Sequence, residues 1–154
     1  MTVNELIESA FAAVPYPGDD NITRCTHADC LECEEIAAHF RGTTWRDHTI
    51  KKLWQFNSAI ALFTPPAFHY FLPAFMIQSL GRWDAANEIP NFIAYQFLPS
   101  KPGMQQYHLE RWQLLNQRQR EAIAAFLREY LNSHSADYVP DRADIEQTIS
   151  RLSG

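Results

Sequence analysis

The chain of 154 residues has the length of one domain, and with 46% hydrophobic and 20% charged residues it is neither disordered nor fibrous. A net charge of −5 with a pI near 5.6 argues against a general nucleic-acid binder. Three cysteines are too few for a secreted scaffold stapled by disulfides.

The chain opens on a helix. Thr2 and Glu5 have capping-box spacing, in which hydroxyl and carboxylate each satisfy a free backbone N–H. Val3, Leu6, Ile7, Ala10, Phe11 and Val14 follow on one face, and Pro15 stops the helix. Pro15-Tyr16-Pro17-Gly18-Asp19-Asp20-Asn21 carries turn chemistry and leads into the cysteines. A second helix is expected from Asp29 as its cap to about Phe40, with Gly42 as its stop. A third is expected from Asp47 towards Phe56. Asn57 to Phe63 reads equally as buried helix or short strand, so a small strand pair around 57–63 and 92–98 is compatible with the pattern.

Thr64-Pro65-Pro66 reads as a cap with proline in the first turn, opening a helix over 65–81 that kinks or breaks at Pro73. Glu88 to Phe97 suits a short helix with Pro90 in its first turn, and Ser100-Lys101-Pro102-Gly103 is a loop. Asn116 caps a helix from Gln117 to Asn132 that faces inward through Ile123, Phe126, Leu127, Tyr130 and Leu131. Asp141 caps a last helix, inward at Ile145, Ile149 and Leu152. Without repeats or low-complexity tracts, the expected fold is mainly α: one compact multi-helix domain over 1–154, with at most that small strand pair.

Leu53 to Gly81 carries no charged side chain, but Pro65, Pro66, Pro73 and several polar residues interrupt it, so it reads as core and not as a membrane span. The first residues form neither a basic nor an apolar signal region, and a cytosolic protein is expected. The excess negative charge lies in the first third. Residues 1–47 hold nine acids against three bases, whereas the remainder is nearly balanced. Such asymmetry steers a basic partner to one face, although a solvated acidic surface has the same signature.

All three cysteines fall in Cys25-Thr26-His27-Ala28-Asp29-Cys30-Leu31-Glu32-Cys33. Cys30 and Cys33 have knuckle spacing, which lets two thiolates face one ion. With Cys25 and His27 they make a closed Cys₃His set suited to one structural zinc. The same residues leave three alternatives open. C-x₄-C-x₂-C resembles iron–sulfur spacing but lacks a fourth thiolate. A redox dithiol lacks its usual βαβ context. Or the cysteines are simply small buried residues.

No catalytic signature accompanies them. HExxH, GxSxG and clustered glycines are absent, and Ser58 and Ser79 lack a nucleophile elbow. His69 and Tyr70 sit in an aromatic run that reads as core. Trp45, Trp54, Trp83 and Trp112 read as packing, with interface anchoring as the alternative. Lys101, Arg118, Arg120 and Arg128 make too weak a basic face for nucleic acid. Asp19 and Asp20 are turn residues or, paired, partner contacts.

One series of motifs runs through the chain: Pro15-Tyr16-Pro17-Gly18-Asp19-Asp20, Cys30-x-x-Cys33-Glu34, Phe40-x-Gly42-x-x-Trp45, Thr64-Pro65-x-Ala67-Phe68-x-Tyr70-Phe71-Leu72-Pro73-Ala74 and Gln119-x-x-Ala122-Ile123-x-x-Phe126-Leu127. Over residues 5–131 the chain resembles a small bacterial family described only as a domain of unknown function. Its members are similar in size and style to the immunity proteins of bacterial toxin systems. The resemblance carries no catalytic residue. Small size, the acidic first third and the lack of catalytic machinery lead to the expectation of a non-enzymatic cytosolic antitoxin that occludes a basic toxin domain, touching neither nucleic acid nor membrane. Asp19, Asp20, Glu32, Glu34 and Glu35 are the expected contacts. The alternative is a metal-binding or thiol-redox protein built on Cys25, His27, Cys30 and Cys33.

Overall fold

A computed structural model describes residues 1–25, 30–99, 101–133 and 142–154. The expected ligand His27, the expected caps Asp29 and Asp141, and Ser100 of the expected loop lie outside the described residues. Among the described residues ten α-helices follow in order: α1 Val3–Phe11, α2 Leu31–Phe40, α3 Ile50–Gln55, α4 Ala59–Leu62, α5 Pro65–Ser79, α6 Trp83–Ala86, α7 Ile89–Tyr95, α8 Gln105–Leu114, α9 Gln117–Ser133 and α10 Arg142–Ser153. A short 3₁₀ turn, Trp45–Asp47, precedes α3.

The caps follow the sequence. Thr2 and Glu5 form a reciprocal capping box on α1. Thr64 Oγ1 accepts from the Ala67 N–H at the head of α5. Asn116 Oδ1 accepts from the Gln119 N–H, and Gln119 Oε1 accepts from the Asn116 N–H, the same reciprocal device in front of α9.

Helix α5 is the axis of the molecule. Its residues are apolar nearly all the way round, so it can only be stable when surrounded. It packs against α1, α3, α6, α7, α8 and the 3₁₀ turn. Of the kink or break expected at Pro73, the break does not occur: α5 runs through it to Ser79, because the buried position supplies contacts that offset the lost backbone hydrogen bond. The expected strand pair also does not form. Residues 59–62 are α4 and 89–95 are α7, and the only β-type contact among the described residues is a bridge between Thr23 and Phe63. These segments are apolar because helices surround them, not because they lie in a sheet. The helix expected from Asp47 starts later, at Ile50 behind the cap Thr49. Helix α8 has no sequence expectation behind it. No helix among the described residues is long and apolar enough to cross a membrane.

Candidate functional site

The segment from Pro15 to Arg24 is a loop with a turn at Asp19–Asp20, yet it is fastened at both ends. Gly18 takes φ +102° behind Pro17, a conformation that glycine adopts without a Cβ penalty. The Tyr16 hydroxyl donates to Asp19 Oδ1 at 2.7 Å and accepts from the Gly42 N–H at 2.8 Å. Gly42, at φ +71°, ends α2 and offers that N–H. Arg41 Nε donates to the Asp19 carbonyl at 3.1 Å. Further on, the Arg24 N–H donates to Leu62 O and the Thr64 N–H to Ile22 O, stitching residues 22–24 to the α4–α5 junction. Thr64 Oγ1 adds a bond to Asn21 O. The loop and the C-terminal end of α2 therefore form two fixed walls.

Between them lies a cavity of about 440 Å³, lined among others by Asp19, Asp20, Thr23, Glu34 and Arg41, with Cys25 and Cys33 in its wall. Cys30 stands as the N-cap of α2 and Cys33 is its third residue, one turn on. The three Sγ atoms all lie within 4.8 Å of one another. Cys33 is 2% exposed, whereas Cys25 and Cys30 are half-buried. Hydrogen bonds to Cys30, first from the Cys33 side chain and then from its backbone N–H, hold the Cys30 thiol below its ordinary range. Burial, reinforced by the Cys30 and Cys25 sulfurs, pushes Cys33 up to about 12.

The chemistry open to such a cluster is that of a soft ion. Zinc–sulfur bonds of about 2.3 Å in a tetrahedron separate the sulfurs by about 3.8 Å. The thiols must close by up to about 1 Å from their present spacing. Side-chain rotation of Cys25 and Cys30, neither locked in the core, spans that distance.

Of the five acids expected as partner contacts, Asp19, Asp20 and Glu34 line the cavity, while the exposed Glu32 and Glu35 do not. Sequence reasoning passed over Tyr16 and Arg41, which set the walls. Their signal was the Pro-Tyr-Pro-Gly turn and the position of Arg41 just before Gly42.

Elsewhere the polar residues serve the fold. His69 Nε2 lies 2.9 Å from Gln119 Oε1, and Gln119 Nε2 donates to Ala10 O, a brace joining α1, α5 and α9. Trp45 is buried, and Trp54, Trp83 and Trp112 pack partly buried against the core. Arg118 donates to Ser9, Arg120 to Trp112 O and Arg128 to Ser153, so the mild basic face is tied into helix contacts. Ser79 Oγ is buried and donates to Phe75 O.

No curated protein and no solved structure matches the chain. A family model does: the chain belongs to the family of unknown function DUF6714, whose model matches residues 1–147.

Proposed function

We propose that this member of the DUF6714 family holds one zinc ion on Cys25, Cys30 and Cys33. The approach of all three Sγ atoms to within 4.8 Å carries the reading. His27, outside the described residues, is the fourth ligand we assign from its spacing in the sequence. Four protein ligands close the coordination shell, so the ion fastens the segment 23–33 and performs no hydrolysis. The measurement is metal content by native mass spectrometry of the reduced chain, with cobalt(II) as a coloured substitute. One ion per chain, with thiolate-to-cobalt charge transfer lost in Cys25→Ser, Cys30→Ser and Cys33→Ser, is expected. A fully reduced chain that takes up neither ion overturns the reading.

A second reading concerns what the fastened wall presents. Asp19, Asp20 and Glu34 converge on one cavity, with Arg41 the one cation among them, and this favours a binding protein with a basic partner. We assign it the role of a cytosolic antitoxin that blocks a toxin domain by occupying its site, one to one, without catalysis. A partner retained through purification from the native host should be lost when Asp19, Asp20, Glu32, Glu34 and Glu35 are reversed to Lys. If the partner stays bound, charge does not hold it.

A further inference from the structure

The thiols differ in access in a way that a closed metal site does not require. Cys30 caps α2 half-buried, and Cys33 sits one turn below it, 2% exposed, with the two sulfurs within 4.8 Å. An outer sulfur that solvent can reach, backed by a sheltered one within reach of it, is the arrangement that two-step disulfide exchange needs. The cavity beside the cluster, about 440 Å³ with Cys25 and Cys33 in its wall, gives room for a small substrate next to the thiols. Its three carboxylates against the single guanidinium of Arg41 set the sign of charge it accepts.

We propose that the cluster is a site of thiol–disulfide exchange selective for small cationic disulfides, with Cys30 attacking and Cys33 resolving. Cys30 Sγ gives up its proton and attacks one sulfur of the substrate. The substrate S–S bond breaks, a mixed disulfide forms on Cys30, and the departing thiolate takes up the proton. Cys33 Sγ, deprotonated in turn, attacks Cys30 Sγ and expels the second half of the substrate as a thiol. Two electrons pass from the two cysteines to the substrate, leaving a Cys30–Cys33 disulfide and two free small thiols. Cys25 stays reduced. The exchange goes beyond the zinc reading and does not depend on it, because it uses the free thiols. Where zinc is bound the same sulfurs are occupied, so oxidation and zinc binding exclude each other.

The test uses the full chain, reduced and treated with a chelator, then mixed with cystamine or with oxidised glutathione and quenched in acid. Intact mass and peptide mapping read the products. The wild-type chain is expected to lose two hydrogens, with the link mapping to Cys30 and Cys33. Cystamine should react about tenfold faster than the anionic oxidised glutathione at low salt. Cys33→Ser should stop at a cysteamine adduct on Cys30, and Cys30→Ser should react about tenfold more slowly. A wild-type chain that stays reduced, a link that runs through Cys25, or equal rates for the two disulfides overturns the proposal. Peptide mapping of the wild type decides the pairing even if a variant misfolds. A chain that exchanges but takes up no zinc refutes the zinc reading alone. A chain that takes up zinc but never exchanges after chelation refutes the exchange alone.

Discussion

Arg111 is 1% exposed and forms no salt bridge among the described residues. Its Nη2 instead reaches Ala61 O and Phe63 O at 3.0 Å and Ile60 O at 3.4 Å, the carbonyls where α4 ends. The guanidinium lies over the rings of Phe68 at 4.6 Å and Tyr107 at 4.3 Å. Burial lowers its pKa below the usual arginine range. The Tyr107 hydroxyl lies 2.8 Å from both Ala61 O and Gln96 Oε1 and has one proton for the two, while Ile60 O and Phe63 O gain no donor from it if Arg111 is removed. Replacing Arg111 with Met preserves length but strands those two acceptors and removes both ring contacts. We expect Arg111→Met to lower stability by about 3 kcal/mol in urea titration with an unchanged m-value. A loss below about 1 kcal/mol would mean that water or a shifted α4 satisfies the carbonyls.

The same residue explains what was hard to read at the level of elements. Caps were legible: Thr2–Glu5, Thr64–Pro65 and Asn116 each announce a helix through local hydrogen bonding that the structure reproduces. Helix α8 was not, because its inward position is held by Arg111 among Gln105, Gln106, His108, Glu110 and Gln113, so no apolar stripe marks the buried face. Helix α2 was legible in extent, and its thiols in spacing. What the sequence could not reveal was that the turn around Tyr16 folds back onto Gly42 to make a wall for them, since that contact spans 26 residues. The C-terminal half of α2 is fixed by aromatic packing. Phe40 meets Phe63 and Phe71, and His39 stacks on Phe56 with ring centroids 4.3 Å apart. His48 lies beside both, its Nε2 2.9 Å from Thr43 Oγ1, which itself donates to Phe40 O, so His48 is the donor to Thr43. Burial, followed by the facing His39, depresses His48 from 6.5 to about 4, with Asp47 opposing. His39 is lowered too, by burial and then by Lys52. The unfolded chain takes its proton near 6.5 while the folded ring refuses it until about 4. Stability is therefore complete above pH 6.5 and drains away between there and about pH 4, by about 2 kcal/mol from His48 after allowance for solvent near the ring. Denaturant midpoints measured from pH 7.5 downwards should fall in that window, and His48→Phe should flatten the fall. An equally steep fall in the variant would place the titration elsewhere.

Across the whole molecule, one hydrophobic core runs from Ile7 and Phe11 of α1 through Phe71 and Phe75 of α5 to Ile145 and Leu152 of α10. Ile36 and Phe40 of α2 belong to it, whereas Cys33, although buried, does not. The thiol cluster thus hangs on a helix that the core already holds, so a zinc ion placed there as proposed is expected to add stability and not to drive folding as in a zinc finger. Zinc at a hundredfold above its Kd would add about 2.7 kcal/mol. For a chain of this size each kcal/mol moves Tm by about 2–4 °C. Stripping zinc with a chelator should then lower Tm by about 5–10 °C and leave the far-UV circular dichroism at 25 °C unchanged. Amide exchange should quicken at residues 30–34 and remain slow in α5 and α9, since only the edge of the molecule loses its fastening. If chelation instead collapsed the helical signal, the core would not be self-sufficient and the ion would be part of the folding free energy of the entire chain. If Tm did not move while zinc demonstrably left, the ion would grip a segment as well ordered without it, and its role would lie in what the acidic cavity presents to a partner.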